Sequence, residues 1–425
     1  MAQSRPTHTL LTEVVAGLVS AVSIAYIVPL TPTFMADSGL SAAQASSLAA
    51  LLAAGTTLLY ALCMPRPPGV LVPGIVPLSL FMGFAANKIP WAHILGIGVI
   101  ASLLFTALSA SGVVRRASIA MPLRLKGVIK VAIGYYLIAA AARTAGLLGE
   151  GPLLMEVSLN AKSGIFLLGV VVLLALWEQK RLRPIAILVG MSVAMLAAIL
   201  TGLAEVPERI LAAPDLQFVF PDIGGALSVS YLDEIFTLVA VLVADVVATF
   251  ESMASPAQDL RESDGTPVHL TRGLTVSGAL GGVGPLLGSG TVIVAFESIA
   301  GILAGGRTRV ATVVAGLFFA ALLFAAPLTS AVPPFASAVA LAFVGYNIAK
   351  YPYFDLSRDR ITRYLELIAL VGVVCSSIAL ALFGCIAAYP LLMKAKGDEA
   401  PRRSDWTIAV ASVGMLVMIL IEQTH

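Results

Sequence analysis

Long apolar runs recur from one end of the chain to the other, each closed by charges or by Pro and Gly. LLFTALSASGVV follows His93, FLLGVVVLLAL starts at Phe166, and IALVGVVCSSIALALFGCIAA starts at Ile368. Runs of this length are the signature of membrane-crossing helices, which must keep their backbone hydrogen bonds internal in hydrocarbon. Fourteen such segments are expected. Seven start near Leu10, Ser46, Val70, His93, Lys126, Gly164 and Pro184, and seven near Leu232, His269, Leu286, Thr308, Pro333, Arg363 and Asp405. The first follows a short polar leader, MAQSRPTH, with no small-residue cleavage site, so it reads as a retained span.

Composition agrees with the pattern. Of 425 residues, 59% are apolar and only 12% charged, and the mean hydropathy is +0.96. A soluble domain carries about a quarter charged residues. Cys63, Cys375 and Cys385 lie in or beside apolar runs, and His8, His93, His269 and His425 are scattered. Neither set has the spacing of a disulfide framework or a metal site. The formal net charge of +2 gives no footprint for nucleic acid.

Charge also orients the spans. With the N-terminus in the cytoplasm, the cytoplasmic loops take most of the 26 Lys and Arg, among them Arg115, Arg116, Lys180, Arg181, Arg183, Arg307 and Arg309. That is the positive-inside bias. The loop KAKGDEAPRR from Lys394 runs against it.

Two segments are poor continuous helices. VLVPGIVPLSLFMGF contains Pro73, Gly74 and Pro77, and GPLLGSGTVIVAFESIAG contains Gly284, Pro285, Gly288 and Gly290. Such breaks lose backbone hydrogen bonds and are tolerated only beside protein or a hydrated cavity. They are the third and tenth segments, and the two halves of the chain echo each other around them. Thr12-Glu13 corresponds to Asp233-Glu234, Gly69 to Gly284, and Pro122 with Gly134-Tyr135 to Pro333 with Gly345-Tyr346, at spacings of 221, 215 and 211 residues. A repeat of seven spans must enter the membrane from the opposite side. The expected fold is therefore an all-α polytopic membrane protein with a 7+7 inverted repeat and discontinuous segments 3 and 10, its solute site between them.

Acidic residues inside spans mark function by default. Glu251 and Glu297 share the string Phe-Glu-Ser, and Asp245 lies deeper in the eighth span. Two carboxylates facing one cavity could hold the N–H edge of a flat heterocycle and take up a proton during transport, with Asp245 as a further proton-coupling candidate. Asp245 and Glu251, six apart, fall on different helix faces, so Asp245 is expected to serve the scaffold. Ser289, Gly290 and Thr291, with Ile75 and Val76, are expected at half-helix starts where free N–H groups meet a solute. Phe81 and Phe296 are candidates to stack on its ring. Glu13 reads as an interface or helix-start residue. Nothing in the chain supplies a nucleophile motif, a metal cluster or a phosphate-binding lysine, so no enzyme and no cofactor is expected.

Four stretches carry a family resemblance: TEVVAGLVSAVSIAYIVPLTP, VLVPGIVPLSLFMGF, GSGTVIVAFESIAGILAGGRT and PPFASAVALAFVGY. The chain resembles the nucleobase–ascorbate transporter superfamily, the xanthine/uracil permeases, and within it the bacterial adenine/guanine/hypoxanthine permease branch. The resemblance implies a core domain (1–114 and 228–328) moving against a gate domain (115–210 and 329–425). It implies import of a nucleobase by secondary active transport with a proton, or in some members Na+. It also implies a homodimer in the bacterial cytoplasmic membrane, with both termini cytoplasmic. The family's eighth- and tenth-span acids fall on Glu251 and Glu297. The branch's second eighth-span aspartate falls on Ala248, its Gly-Thr on Glu251-Ser252, and its third-segment string on Val76-Pro77-Leu78-Ser79. These departures touch the pocket and leave open another planar solute, or an anion as in the related sulfate-permease and anion-exchanger class.

Overall fold

A computed structural model of the chain describes residues 9–120, 123–149, 157–179, 182–207, 209–263, 265–349, 360–374, 378–396, 406, 409–410 and 412–414. Pro122, the loop after Lys396 and most of the expected span from Asp405 lie outside the described residues. The first half holds α1 (Leu10–Ile24), α2 (Ile27–Phe34), α3 (Ala42–Cys63), β1 (Leu71–Pro73), α4 (Ile75–Ala86), α5 (Trp91–Ala110), α6 (Val113–Ala120), α7 (Leu123–Thr144), α8 (Ala161–Trp177) and α9 (Arg183–Leu200). The second holds α10 (Ile223–Ala226), α11 (Leu232–Ala254), α12 (Leu270–Gly281), α13 (Val283–Leu287), β2 (Val292–Val294), α14 (Ser298–Leu303), α15 (Arg309–Leu322), α16 (Ala326–Ser330), α17 (Pro334–Ala349), α18 (Arg360–Val374) and α19 (Ile378–Lys396).

Local chemistry sets several boundaries. Ser41 and Gln44 form a reciprocal capping box at the start of α3, and Asn160 and Ser163 do the same for α8. The first span is interrupted between α1 and α2. Pro29 has no N–H for the Ala25 carbonyl, and Val28 N–H takes that carbonyl instead at 3.2 Å. Pro32 likewise cannot serve the Val28 carbonyl, and Ser46 Oγ, from α3, donates to it at 3.4 Å.

Two groups of helices emerge from the packing. In one, α3 lies on α15, α5 on α12 and α11, and α1 on α14 and α15. In the other, α7 crosses α17, α17 also meets α8 and α9, and α7 also meets α18 and α19. Large apolar side chains such as Leu167, Leu168, Val171, Leu367 and Val371 face outward, as a lipid-facing surface requires. The run from Ile368, expected as one span, is divided between α18 and α19, which pack against each other. Gly372 meets the backbone of Ala381 there, and a side chain at Gly372 would hold the two helices apart.

At the centre of the first group, β1 and β2 pair antiparallel with Val72 opposite Ile293. Gly74 N–H donates to Thr291 C=O at 3.0 Å and Ala295 N–H to Val70 C=O at 2.8 Å, extending the ladder at both ends. A lone strand in hydrocarbon would strand its outer edge. Here side-chain hydroxyls close it. Thr57 accepts from Leu71 N–H and donates to Leu71 C=O, both at 2.9 Å. Ser298 accepts from Val70 N–H at 3.0 Å, and Thr312 from Gly69 N–H at 3.1 Å.

Candidate functional site

A cavity of about 620 Å³ opens between the two helix groups. On one side it is walled by α1 (Ser23), by β1 and the start of α4 (Val72, Gly74, Ile75, Val76), by Asp245 of α11, and by Ile293 to Glu297. On the other stand Trp177, Arg183, Ile187, Phe343, Val344 and Asn347. The short strands bring the site together. Each ends where a helix begins, and the residues at that junction, Ile75 and Val76 in one case and Phe296 and Glu297 in the other, reach the cavity.

Glu297 stands at the residue before α14, and the buried Tyr26 hydroxyl donates a hydrogen bond to its Oε1. Tyr26 occupies the interruption between α1 and α2, so the broken first span is what aims this phenol at the carboxyl. The far wall is aromatic. Trp177 and Phe343 meet edge to face with centroids 4.6 Å apart. The Arg183 guanidinium lies over the Trp177 ring at 5.4 Å, and its Nε donates to Trp177 C=O at 2.9 Å. Asn347 Nδ2 donates to Phe343 C=O at 3.1 Å, which leaves its carbonyl oxygen available to the cavity. The arrangement can grip a flat solute between apolar walls and hydrogen-bond its edges.

Of the residues expected from sequence, the structure brings Ile75, Val76, Asp245, Phe296 and Glu297 to this cavity. It does not bring Glu251, Ser289, Gly290, Thr291 or Phe81 there. Glu251 lies at the end of α11, 3.5 Å from Arg261, with both side chains about one-third exposed at 30% and 29%. It sits six residues past Asp245 and so on another face, and of the two it is Asp245 that lines the cavity. Ser289, Gly290 and Thr291 precede β2 instead of opening a helix, because the tenth segment runs helix, turn, strand, helix. Ser289 Oγ turns to Met35 Sδ at 3.5 Å, and Gly290 is packed by Leu78. Thr291 is buried behind the strand pair. Phe81 is fully buried against Trp91, edge to face at 6.1 Å.

Sequence reading missed Ser23, Tyr26, Trp177, Arg183, Phe343 and Asn347. For Tyr26, the Pro29 that follows it was an available signal of a broken span. Among the described residues, no three His, Cys, Asp or Glu are grouped to hold a metal ion.

The fold is that of solved membrane transporters. The transmembrane domain of the cyanobacterial bicarbonate transporter BicA superposes with a TM-score of 0.65 at 16% identity, over 90% of this chain and 98% of that one. SLC26A9 superposes with a TM-score of 0.64 at 14% identity, over 92% of this chain and 66% of that one. Among the described residues, five helical stretches are long and apolar enough to cross a membrane, from Leu10–Phe34 to Arg309–Ser330. The model of the xanthine/uracil permease family, described simply as a permease family, matches residues 11–351, and the chain belongs to that family. It is a multi-pass membrane permease and not an enzyme. Among its relatives are a putative permease, MJ0326, of Methanocaldococcus jannaschii (29% identical, 94% of this chain and 93% of the relative). The guanine/hypoxanthine permease PbuG of Bacillus subtilis is 27% identical over 91% of both chains. The adenine permease AdeP of Escherichia coli is 27% identical over 82% of this chain and 80% of the relative.

Proposed function

We propose that the protein is a secondary active transporter that carries a nucleobase, a purine first, across the cytoplasmic membrane together with a proton. The observation that carries this reading is Glu297, a carboxyl held by Tyr26 at the wall of a largely apolar cavity between two helix groups. A carboxyl accepts from ring N–H groups, and the apolar walls and Phe296 suit a flat ring. Relatives named as purine permeases cover most of the chain. A bare anion fits less well, because Asp245 and Glu297 both face the space and repel it unless protonated.

The two helix groups are the candidate core (α1–α5 with α11–α15) and gate (α7–α9 with α17–α19). Alternating access would come from one shifting against the other, with the solute carried on the core. The strand register supports an inverted repeat. The central pair is Val72 and Ile293, and 293 less 72 is 221, the spacing already seen between Thr12 and Asp233. A two-fold axis in the membrane plane through that pair makes the strands antiparallel. In the cycle, the base docks against Glu297 and Phe296, and Glu297, with Asp245 beside the same space, carries the proton. Release and deprotonation inside reset the transporter. The expected assembly is a homodimer.

The test is uptake by proteoliposomes of radiolabelled hypoxanthine, guanine, adenine, xanthine, uracil and sulfate, with and without an inward proton gradient. Saturable, gradient-driven uptake of a base, lost in Glu297→Gln, is expected. Sulfate uptake without base uptake by the folded protein would overturn the reading.

A further inference from the structure

Ser23 is the unexplained polar group of the cavity. It is 8% exposed, lines the cavity, and its Oγ has no hydrogen-bond partner. A hydroxyl on an apolar helix ordinarily satisfies itself by donating to the carbonyl four residues back. This protein uses that solution repeatedly: Thr31 to Ile27 at 2.7 Å, Thr56 to Leu52 at 2.6 Å, Thr106 to Ser102 at 2.6 Å and Ser252 to Ala248 at 2.5 Å. Ser23 has Val19 in that position and does not use it. Several other buried hydroxyls among the described residues also lack partners, among them Ser47, Ser102, Ser109 and Ser277, but none of these lines the cavity. Leaving a buried hydroxyl unsatisfied is costly, so its partner is expected in the space it faces.

Its position on α1 adds chemistry. Tyr26, three residues on, donates to Oε1 of Glu297. Tyr26 thereby engages one carboxyl oxygen, and the carboxyl, which lines the cavity, keeps acceptor lone pairs for the solute. A carboxylate oxygen only accepts, whereas a serine hydroxyl can donate. The two groups are complementary to neighbouring N–H and C=O groups on one ring edge.

We infer that Ser23 is a specificity-determining residue whose hydroxyl donates to the carbonyl of a lactam edge while Glu297 accepts from the adjoining N–H. The inference rests on the nucleobase reading above and narrows it to bases with an oxo group beside a ring N–H. A site built to bond a polar group discriminates strongly against an analogue that lacks it, because its own group is then unpaired.

The probes are hypoxanthine and purine, the same bicyclic ring without the oxygen, in proteoliposomes holding wild type, Ser23→Ala or Ser23→Cys. Wild type is expected to prefer hypoxanthine. Either variant should raise the hypoxanthine KM about tenfold, the effect of one hydrogen bond, with maximal rate within about twofold and the purine KM unchanged. Ser23→Thr, which keeps the hydroxyl, should restore the preference. If wild type carries hypoxanthine and the folded variants keep the preference, or lose both substrates equally, the Ser23 assignment is overturned while the nucleobase reading stands. If wild type carries no base at all, both fall. Unfolding temperatures of the variants in detergent separate a misfolded protein from a changed site, and one folded variant of the two decides the matter.

Discussion

Gly134 of α7 and Gly345 of α17 face each other backbone to backbone. A β-carbon at Gly134 would stand 2.5 Å from the Gly345 carbonyl oxygen, and one at Gly345 would stand 2.7 Å from the Gly134 carbonyl oxygen. Small residues that let backbones approach this closely are how helices pack in lipid, where apolar side chains gain little from each other. Here the pair sets the crossing around which the second helix group is built. Gly134→Ala and Gly345→Ala should each destabilise the protein by about 2 kcal/mol, the usual cost of overpacking. Gly55→Ala, at a glycine with open space around it, should be neutral or slightly stabilising. Thermal unfolding in detergent makes the comparison, and equal behaviour of all three would refute this account of the crossing.

Glu251 and Glu297 should separate in function. Glu251 pairs with Arg261 away from the cavity, whereas Glu297 lines it. Glu251→Gln is expected to leave the substrate KM within about twofold, since a partly exposed ion pair contributes little. Glu297→Gln should abolish driven uptake. A Glu251→Gln protein that folds but no longer binds would return Glu251 to the site.

Glu13 acts as a clamp at one end of the molecule. Its two carboxyl oxygens, in a residue only 4% exposed, accept from the Arg307 and Thr308 N–H groups at 3.0 and 3.2 Å, just where α15 begins. Arg307 in turn donates to the Ile302 and Gly306 carbonyls at 2.6 and 2.8 Å and pairs with Asp259 at 3.3 Å. Glu13→Ala leaves two partly buried donors unmet and should cost about 2 kcal/mol, read as a lower unfolding temperature. Substrate specificity should be unchanged, because Glu13 does not line the cavity.

Asp222, before α10, is held below the ordinary carboxylate range, first by the Gly225 N–H it caps at 2.9 Å and then by His93 at 3.2 Å. A carboxyl depressed in the folded state adds stability above its unfolded pKa, about 4. That stability is lost as pH falls through the lower, folded value. The wild type should therefore unfold at a higher temperature than Asp222→Ala at neutral pH, and the gap should close on acidification below about pH 4. A gap that stays constant with pH would show that the charge contributes nothing.

Much of this architecture was legible beforehand. Apolar runs found most helices, and Pro73-Gly74 and the glycines after Gly284 marked the two interruptions. The alignment of those interruptions was not legible from glycine alone. Matching Gly69 to Gly284 gives a spacing of 215, whereas the central pair of the two strands, Val72 and Ile293, is 221 apart. Gly284 lies within α13 and Gly288 in the turn that follows it, where it takes a left-handed φ of 106°, and the strand itself is the plain string Val-Ile-Val. Glu297 is conspicuous in sequence because a charge amid apolar residues is expensive. Ser23 and Tyr26 are not, because hydroxyls are common in membrane helices and only packing shows which one is unpaired or which one reaches a carboxyl 271 positions away.

The pairing of Val72 with Ile293 has a consequence for biogenesis. A ribosome inserting this chain releases Leu71–Pro73 into the membrane long before Val292–Val294 exists. Until then the inner edge of the first strand has no partner, in a solvent that offers none. The first half is therefore not a finished unit that waits for a copy of itself. Its centre matures only when the second half threads in, so truncation before Val292 should leave an insertion intermediate for quality-control proteases to clear, and not half a transporter.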